Sequence, residues 1–449
     1  MGYPYQYFLR GGFFIDGGLT QGLLGIGDYA NLAFIQEKTT WMIRFIQIIN
    51  LPLILLFLSR KTQNNFFLIA FISVPTFIQW STIGKPLFLG ETTFICLYLL
   101  WKEDKSPYNL KLLIFSIIAC IGYKISSLLI IFPVLIDIVN YFFKKYNLKE
   151  NKTKEIKYVV RNKLVLFSLI IFISLLISRT IITGNFAYPL LTNIFNKNNI
   201  VINNFSELIM NYQRDGLFFL RVFIPTNISD LGSALGPSIL FIFANIWITK
   251  LKNFDKKNND IFYITNAQII LLMFFCQGRA DYYSSPLILV IYQANQIGSL
   301  IKFFKFRLIF KITILIQVLI ISSFIFFSIG LNLLSLVDFQ RYMEESAYGY
   351  NIAKQVDQSS YGNFLIEERN TRLFYPKNYI ERYKMKDCIL KNDQTFCFNK
   401  YEINQVIANK NYEVYDKSFD CRLIDSVKGS RNLFNRRKYK LKFCSKKKV

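Results

Sequence analysis

An all-α polytopic membrane bundle of about ten transmembrane helices, followed by a small α/β or irregular C-terminal domain, is the fold class the sequence predicts. Three observations predict it. Hydrophobic residues make up 52% of the 449 and aromatics 17%, against 18% charged, which leaves too few polar side chains to cover a soluble surface. The apolar residues come in blocks of roughly 15 to 22, the length of a bilayer-spanning helix. Lys and Arg gather in the short gaps between those blocks and in the C-terminal tail.

The blocks predict spans over 41–58, 66–80, 86–101, 110–123, 125–143, 164–180, 236–249, 261–276, 286–301 and 312–332. Two kinds of gap alternate between them. One set is basic: Arg60 and Lys61; Lys102, Lys105 and Lys111; 144–163 with seven Lys and one Arg; Lys250, Lys252, Lys256 and Lys257; and Lys302, Lys305, Arg307 and Lys311. The other set, at 81–85, 124, 181–235 and 277–285, carries almost only isolated cations. The positive-inside rule assigns the basic set to the cytoplasm of an inner (plasma) membrane protein. The chain then divides into an outer-face loop at 1–40, a transmembrane domain at 41–336 and an extracytoplasmic domain at 337–449. The first segment, placed outside with no span to carry it there, predicts one further helix ahead of Met1. Phe205–Phe223 mixes apolar and polar residues at near-helical spacing, as an interfacial helix or a plain loop does. No internal repeat is present, which argues against an inverted-repeat transporter.

The formal charge of +25 does not mark a nucleic-acid partner, because it sits in gaps and tail and reads as topology and attraction to membrane lipids. The chain has no histidine, which removes His-ligated zinc and Ser-His-Asp hydrolysis. Of seven cysteines, Cys96, Cys120 and Cys276 lie in apolar blocks. Cys388, Cys397, Cys421 and Cys444 lie in the tail, where four thiols in an oxidising compartment make two disulfides by one of three pairings.

Charges inside or at the edge of a span are costly and mark function. Here they cluster on the outer side. Lys85 precedes Pro86 at the mouth of the third span, with Glu91 deeper. Lys124 separates two apolar blocks, Arg179 closes the sixth span, and Arg279 follows the eighth beside Tyr282 and Tyr283. Isolated cations at one depth suit a lipid phosphate or diphosphate, Arg by its planar fork and Lys as a point charge. Snorkelling to lipid headgroups explains any one of them but not the one-sided set. The first segment supplies carboxylates, Asp16, Asp28 and Glu37, suited to take a proton from a sugar hydroxyl or to hold a divalent cation; a capping or loop role is the plain alternative for each.

Three stretches resemble the GT-C superfold glycosyltransferases, the polytopic enzymes that include protein mannosyltransferases and lipopolysaccharide-core glycosyltransferases. Ile121-Gly122-Tyr123-Lys124-Ile125-Ser126 with Phe132-Pro133 is similar to a mid-chain helix signature. Arg179 to Pro189, with Thr183-Gly184-Asn185 and Tyr188-Pro189, looks like an outer loop of the family, and Gln277 to Pro286 resembles its later Arg, Tyr and Pro element. The resemblance implies a polyprenyl-phosphate sugar donor and a cell-surface or lipid-linked glycan acceptor. It implies lipid-phosphate contact by the Gln277 to Pro286 element, and with the shared depth of the cations this makes Lys85, Lys124, Arg179, Arg279, Tyr282 and Tyr283 the candidate donor-binding residues. The family's catalytic acid follows its first transmembrane helix, which this sequence lacks; Tyr3-Pro4-Tyr5 through Gly11-Gly12 resembles the loop just beyond it, so Asp16, Asp28 and Glu37 are candidates by position. A flippase, transporter or polymerase of lipid-linked glycans is the alternative.

Overall fold

A computed structural model describes residues 40–60, 65–76, 87–146, 163–186, 188, 192–195, 220, 222–224, 234–252, 259–276, 280–297, 304–338, 363–366, 379–381, 385, 388–389, 392–409, 413–414, 418–428 and 437–447. Ahead of the tail, the helices longer than a single turn are α1 (Thr40–Ser59), α2 (Asn65–Ile72), α3 (Leu87–Glu103), α4 (Pro107–Tyr123), α5 (Leu128–Tyr146), α6 (Lys163–Thr183), α7 (Pro237–Lys252), α8 (Asp260–Cys276), α9 (Ser284–Ile297) and α10 (Phe304–Val337).

Their ends follow from local chemistry. α4 starts where the Ser106 side chain accepts from the Asn109 backbone N–H, with Pro107 as its first residue. It stops at Lys124, whose backbone is extended while its N–H still reaches the Cys120 carbonyl. A 3-10 turn, Ile125–Ser127, then leads into α5, so the predicted span 125–143 begins as a turn. Pro133 sits inside α5, and the Gln268 side chain donates to the Ile130 carbonyl (2.7 Å) in the turn before it, where the proline loosens the helix.

The predicted span 66–80 differs from the structure in a way that packing explains. α2 ends at Ile72, ahead of Pro75, since the residue before a proline disfavours helix. The Ser73 carbonyl is taken by the Gln317 side chain (3.1 Å), which also accepts from the Ser238 N–H (3.0 Å). One amide from α10 thus caps the end of α2 and the start of α7. Gly236 makes room for it: its φ is +87°, and a Cβ there would stand 2.1 Å from Gln317 Nε2. α10 itself runs for 34 residues, about 51 Å at the helical rise, well beyond the predicted 312–332.

α9 is the axis of the bundle. Every residue from Ser284 to Asn295 is buried, with α2, α3, α7 and α8 packed around it. Polar side chains on this axis are closed on neighbours: Ser285 donates to Gln268 (3.1 Å) and Gln293 to Thr265 (2.7 Å), tying α9 to α8. The outside is apolar. Leu166, Ile170, Ile173, Ile177 and Ile181 form an exposed stripe at helical spacing on α6, and Leu308, Ile312, Leu315 and Leu319 do so on α10. Among the described residues, one helix, Ile125–Phe143, is by length and composition long and apolar enough to cross a membrane; shorter apolar helices include Pro107–Tyr123, Val165–Ile181, Pro237–Lys250 and Asp260–Phe275.

The tail folds as α/β. Its five strands, β1 (Asn363–Ile366), β2 (Tyr379–Glu381), β3 (Ile403–Asn409), β4 (Phe419–Lys428) and β5 (Arg437–Lys446), stand in the order β2-β1-β3-β5-β4. The β2-β1-β3 pairs are parallel and the β3-β5-β4 pairs antiparallel. Helix α11 (Gln394–Lys400), capped by the Asp393 carboxylate, covers the sheet with Phe398. Cys388 pairs with Cys397, and Cys421 with its cross-strand partner Cys444, which selects one of the three pairings open to the sequence.

Candidate functional site

Two polar levels cross the bundle. On α3, Glu91 and Lys102 mark them, eleven residues and about 16 Å apart. The neighbours carry the same levels: Gln268 of α8 meets Ile130 of α5 near the first, and Asp260 of α8 and Asp137 of α5 both meet Lys102 at the second, so α8 runs against α3 and α5 runs along it.

The first level holds Lys124, Tyr282 and Tyr283 of the predicted anion-binding residues. Lys124 is the single extended residue between α4 and the 3-10 turn, so its side chain leaves the helix end rather than lying along it. Its ammonium donates to the Tyr282 hydroxyl (2.9 Å) and lies 4.5 Å from the centre of that ring. Tyr282 closes a second 3-10 turn, Ala280–Tyr282, just before α9. Two breaks in helical structure therefore meet, one carrying the charge and the other a phenol. The arrangement offers an anion a cationic donor and a neutral donor side by side.

Tyr283 and Ser284 turn inward. Tyr283 is buried, and the Ser284 hydroxyl donates to the Glu91 carboxyl, itself 1% exposed. Cys120, one turn before Lys124, lies within electrostatic reach of Glu91. Sequence reading placed Glu91 near the site but missed Ser284, whose only signal was its place directly after Tyr282 and Tyr283. It also missed Gly90, where a Cβ would come within 2.9 Å of the Tyr123 ring.

Arg179 is 1% exposed, near the C-terminal end of α6. Its side chain is enclosed rather than directed to the surroundings, which removes the snorkelling explanation for this cation. The helix after it ends through Thr183, whose hydroxyl donates to the Arg179 carbonyl (2.9 Å), and through Gly184 at φ +71°. The buried Asn185 and Tyr188 follow.

Asp16, Asp28, Glu37, Lys85 and Arg279 lie outside the described residues. Among the described residues no group of three or more His, Cys, Asp or Glu side chains is placed to hold a metal.

The second level is a compensated charge cluster. Lys102 pairs with Asp137 (3.1 Å) and Asp260 (2.8 Å), and the Tyr98 hydroxyl donates to Asp137 (2.8 Å). The Lys105 ammonium stands 3.2 Å from the centre of the Trp101 ring and 4.8 Å from that of Tyr141. Burial, with Lys102 nearby, pushes the Lys105 ammonium down to about 8, while Asp137 and Asp260 oppose the shift. Tyr292 donates to Glu103 (2.9 Å), so α9 joins this level too.

No protein-family model matches the sequence, and no curated protein matches it either.

Proposed function

We propose that the chain is a membrane-embedded glycosyltransferase that moves a sugar from a polyprenyl-phosphate donor to a cell-surface or lipid-linked glycan acceptor on the outer face. The observation that carries this reading is the meeting of Lys124 and Tyr282 where two helices break, at the level of the buried Glu91. Supporting it are the apolar stripes on α6 and α10, and the alternation of basic and cation-poor gaps along the sequence.

In the reaction, an acceptor hydroxyl attacks the anomeric carbon, the bond from that carbon to the phosphate oxygen breaks, and its electron pair leaves on the lipid phosphate. Lys124, Arg179 and Arg279 neutralise that charge, and Tyr282 donates to it. The hydroxyl proton passes to a carboxylate of the first segment, Asp28, Glu37 or Asp16. A divalent cation at those carboxylates would share the phosphate charge. The extracytoplasmic domain, basic and disulfide-closed, would help to choose the acceptor.

Polyprenyl-phosphate binding by the full chain in detergent tests the reading. Lys124→Met and Arg179→Gln should each weaken it about 10- to 100-fold, the worth of one charged hydrogen bond. Unchanged affinity in both variants refutes the phosphate site. Reporter fusions at residues 155 and 360 test the orientation, the first reading cytoplasmic and the second external.

A transporter of lipid-linked glycans is the second reading, favoured by the buried polar side chains that run along α9 from Ser284 to Asn295. The hydrogen bonds that close Ser285 and Gln293 on α8 favour the transferase. Vesicles that move a lipid-linked glycan across the bilayer without glycosyl transfer would decide for the transporter.

A further inference from the structure

We propose that Gly90 and Glu91, consecutive residues on α3, form a two-point clamp that sets the Lys124–Tyr282 spacing, with Glu91 as a positioning residue. The proposal deepens the phosphate-site reading above and names what builds it.

Lys124 and Tyr282 belong to segments 158 residues apart in sequence, each at a break between helices. The backbone bonds inside each turn hold that turn alone and do not set the distance between the two, so something outside must hold both. α3 touches both. On one side, Tyr123 packs against Gly90 closely enough that a Cβ there would stand 2.9 Å from its ring, which fixes the residue immediately before Lys124. On the other, Glu91 accepts from Ser284, the first residue of α9 and two residues after Tyr282. Between Tyr282 and Ser284 the chain has little freedom: the Tyr283 N–H bonds to the Ala280 carbonyl (3.1 Å), and the Leu287 N–H to the Tyr283 carbonyl (3.0 Å). A shift at Ser284 is therefore passed to Tyr282 through rigid turns.

A buried carboxyl is an expensive way to hold a helix end, and an apolar contact would serve packing alone. A directional bond from a rigid helix serves geometry, because an anion shared by an ammonium and a phenol requires both donors at hydrogen-bond distance together.

Cross-linking reads the spacing without any assumption about activity. In the full chain, Lys124→Cys and Tyr282→Cys are combined, and a protease site is inserted in the 147–162 gap. A short bifunctional thiosulfonate then joins the two halves only if the positions stay close; each single-cysteine variant gives the background. The proposal expects that adding Glu91→Leu or Ser284→Ala lowers joining severalfold, and that Glu91→Gln, which keeps an acceptor for Ser284, restores it. Ser284→Ala removes one hydroxyl and carries the test where Glu91→Leu fails to fold. Joining that is unchanged by both, or lost equally in Glu91→Gln, overturns the clamp. In parallel, with Lys124 and Tyr282 intact, Glu91→Leu should weaken polyprenyl-phosphate binding about tenfold and Glu91→Gln should leave it near the parent value. Cross-linking that follows the pattern in a chain that does not bind polyprenyl phosphate keeps the clamp and rejects the glycosyltransferase reading.

Discussion

Lys102 and Lys124 sit at two levels of the same bundle, and their surroundings differ. Lys102 is held by two carboxylates, Asp137 and Asp260, and Asp137 in turn accepts from Tyr98. Lys124 is held by a phenol, on whose ring it also rests. A carboxylate pairs with the whole charge of an ammonium, whereas a phenol stabilises it by hydrogen bond and ring quadrupole. The first arrangement is suited to fastening helices together. The second sets a cationic and a phenolic donor side by side, the pair on which the proposed phosphate site rests.

The largest expected effect that separates these roles is on stability. Asp137→Leu leaves Lys102 with one partner, the exposed Asp260, and should cost about 3 to 5 kcal/mol by thermal unfolding in detergent. Lys102→Met combined with Asp137→Leu should recover much of that loss, because an apolar pair has no charge left to solvate. If the double variant is as unstable as the single one, the level is held by packing and not by charge.

A loss of about 3 kcal/mol, confined to the tail, is expected for Cys421→Ser with Cys444→Ser, from the reopened loop of 23 residues. Proteolysis should then cut the tail domain faster while leaving the helical part as resistant as before. Faster cutting within the helices would show that the bundle leans on its tail and that the two levels are not a property of the helices alone.

Lys124→Met should cost about 2 kcal/mol of stability, the worth of one charged hydrogen bond and a ring contact, while phosphate binding should fall as stated above. A stability loss as large as that of Asp137→Leu would erase the distinction between the two levels.

The smallest effect is a pH dependence at Lys105. Its ammonium is pushed down to about 8 from an ordinary 10.5, so between those values the unfolded chain binds more protons than the folded one. The cost of keeping this charge is present in full below pH 8 and is relieved as pH rises toward 10.5. Comparison of thermal unfolding at pH 7 and pH 9.5 should show wild type gaining on Lys105→Met as pH rises; equal slopes would refute it.

Helix positions were largely legible in the sequence because apolar content along a segment is a local sum. Lys163–Thr183 and Asp260–Cys276 follow blocks 164–180 and 261–276 within a few residues. The misses have tertiary causes. α2 stops short where Pro75 and the Gln317 amide of a distant helix end it, and no window around residue 73 contains Gln317. The α/β character of the tail was open because short strands gain their stability from pairing partners, and β1 pairs with strands on both sides.

At the site, the sequence by itself determined which residues are charged amid apolar neighbours: Glu91, Lys102, Lys124 and Arg179 can all be read from the string. It set Lys102 in a basic gap and Lys124 alone between two apolar blocks, but it did not say what either of them meets. Tertiary structure alone decided that one meets two carboxylates and the other a phenol, and that Glu91 meets a serine 193 residues away. The physical reason is that hydropathy accumulates along the chain, whereas a partner is chosen by the rotation and depth at which one helix packs on another.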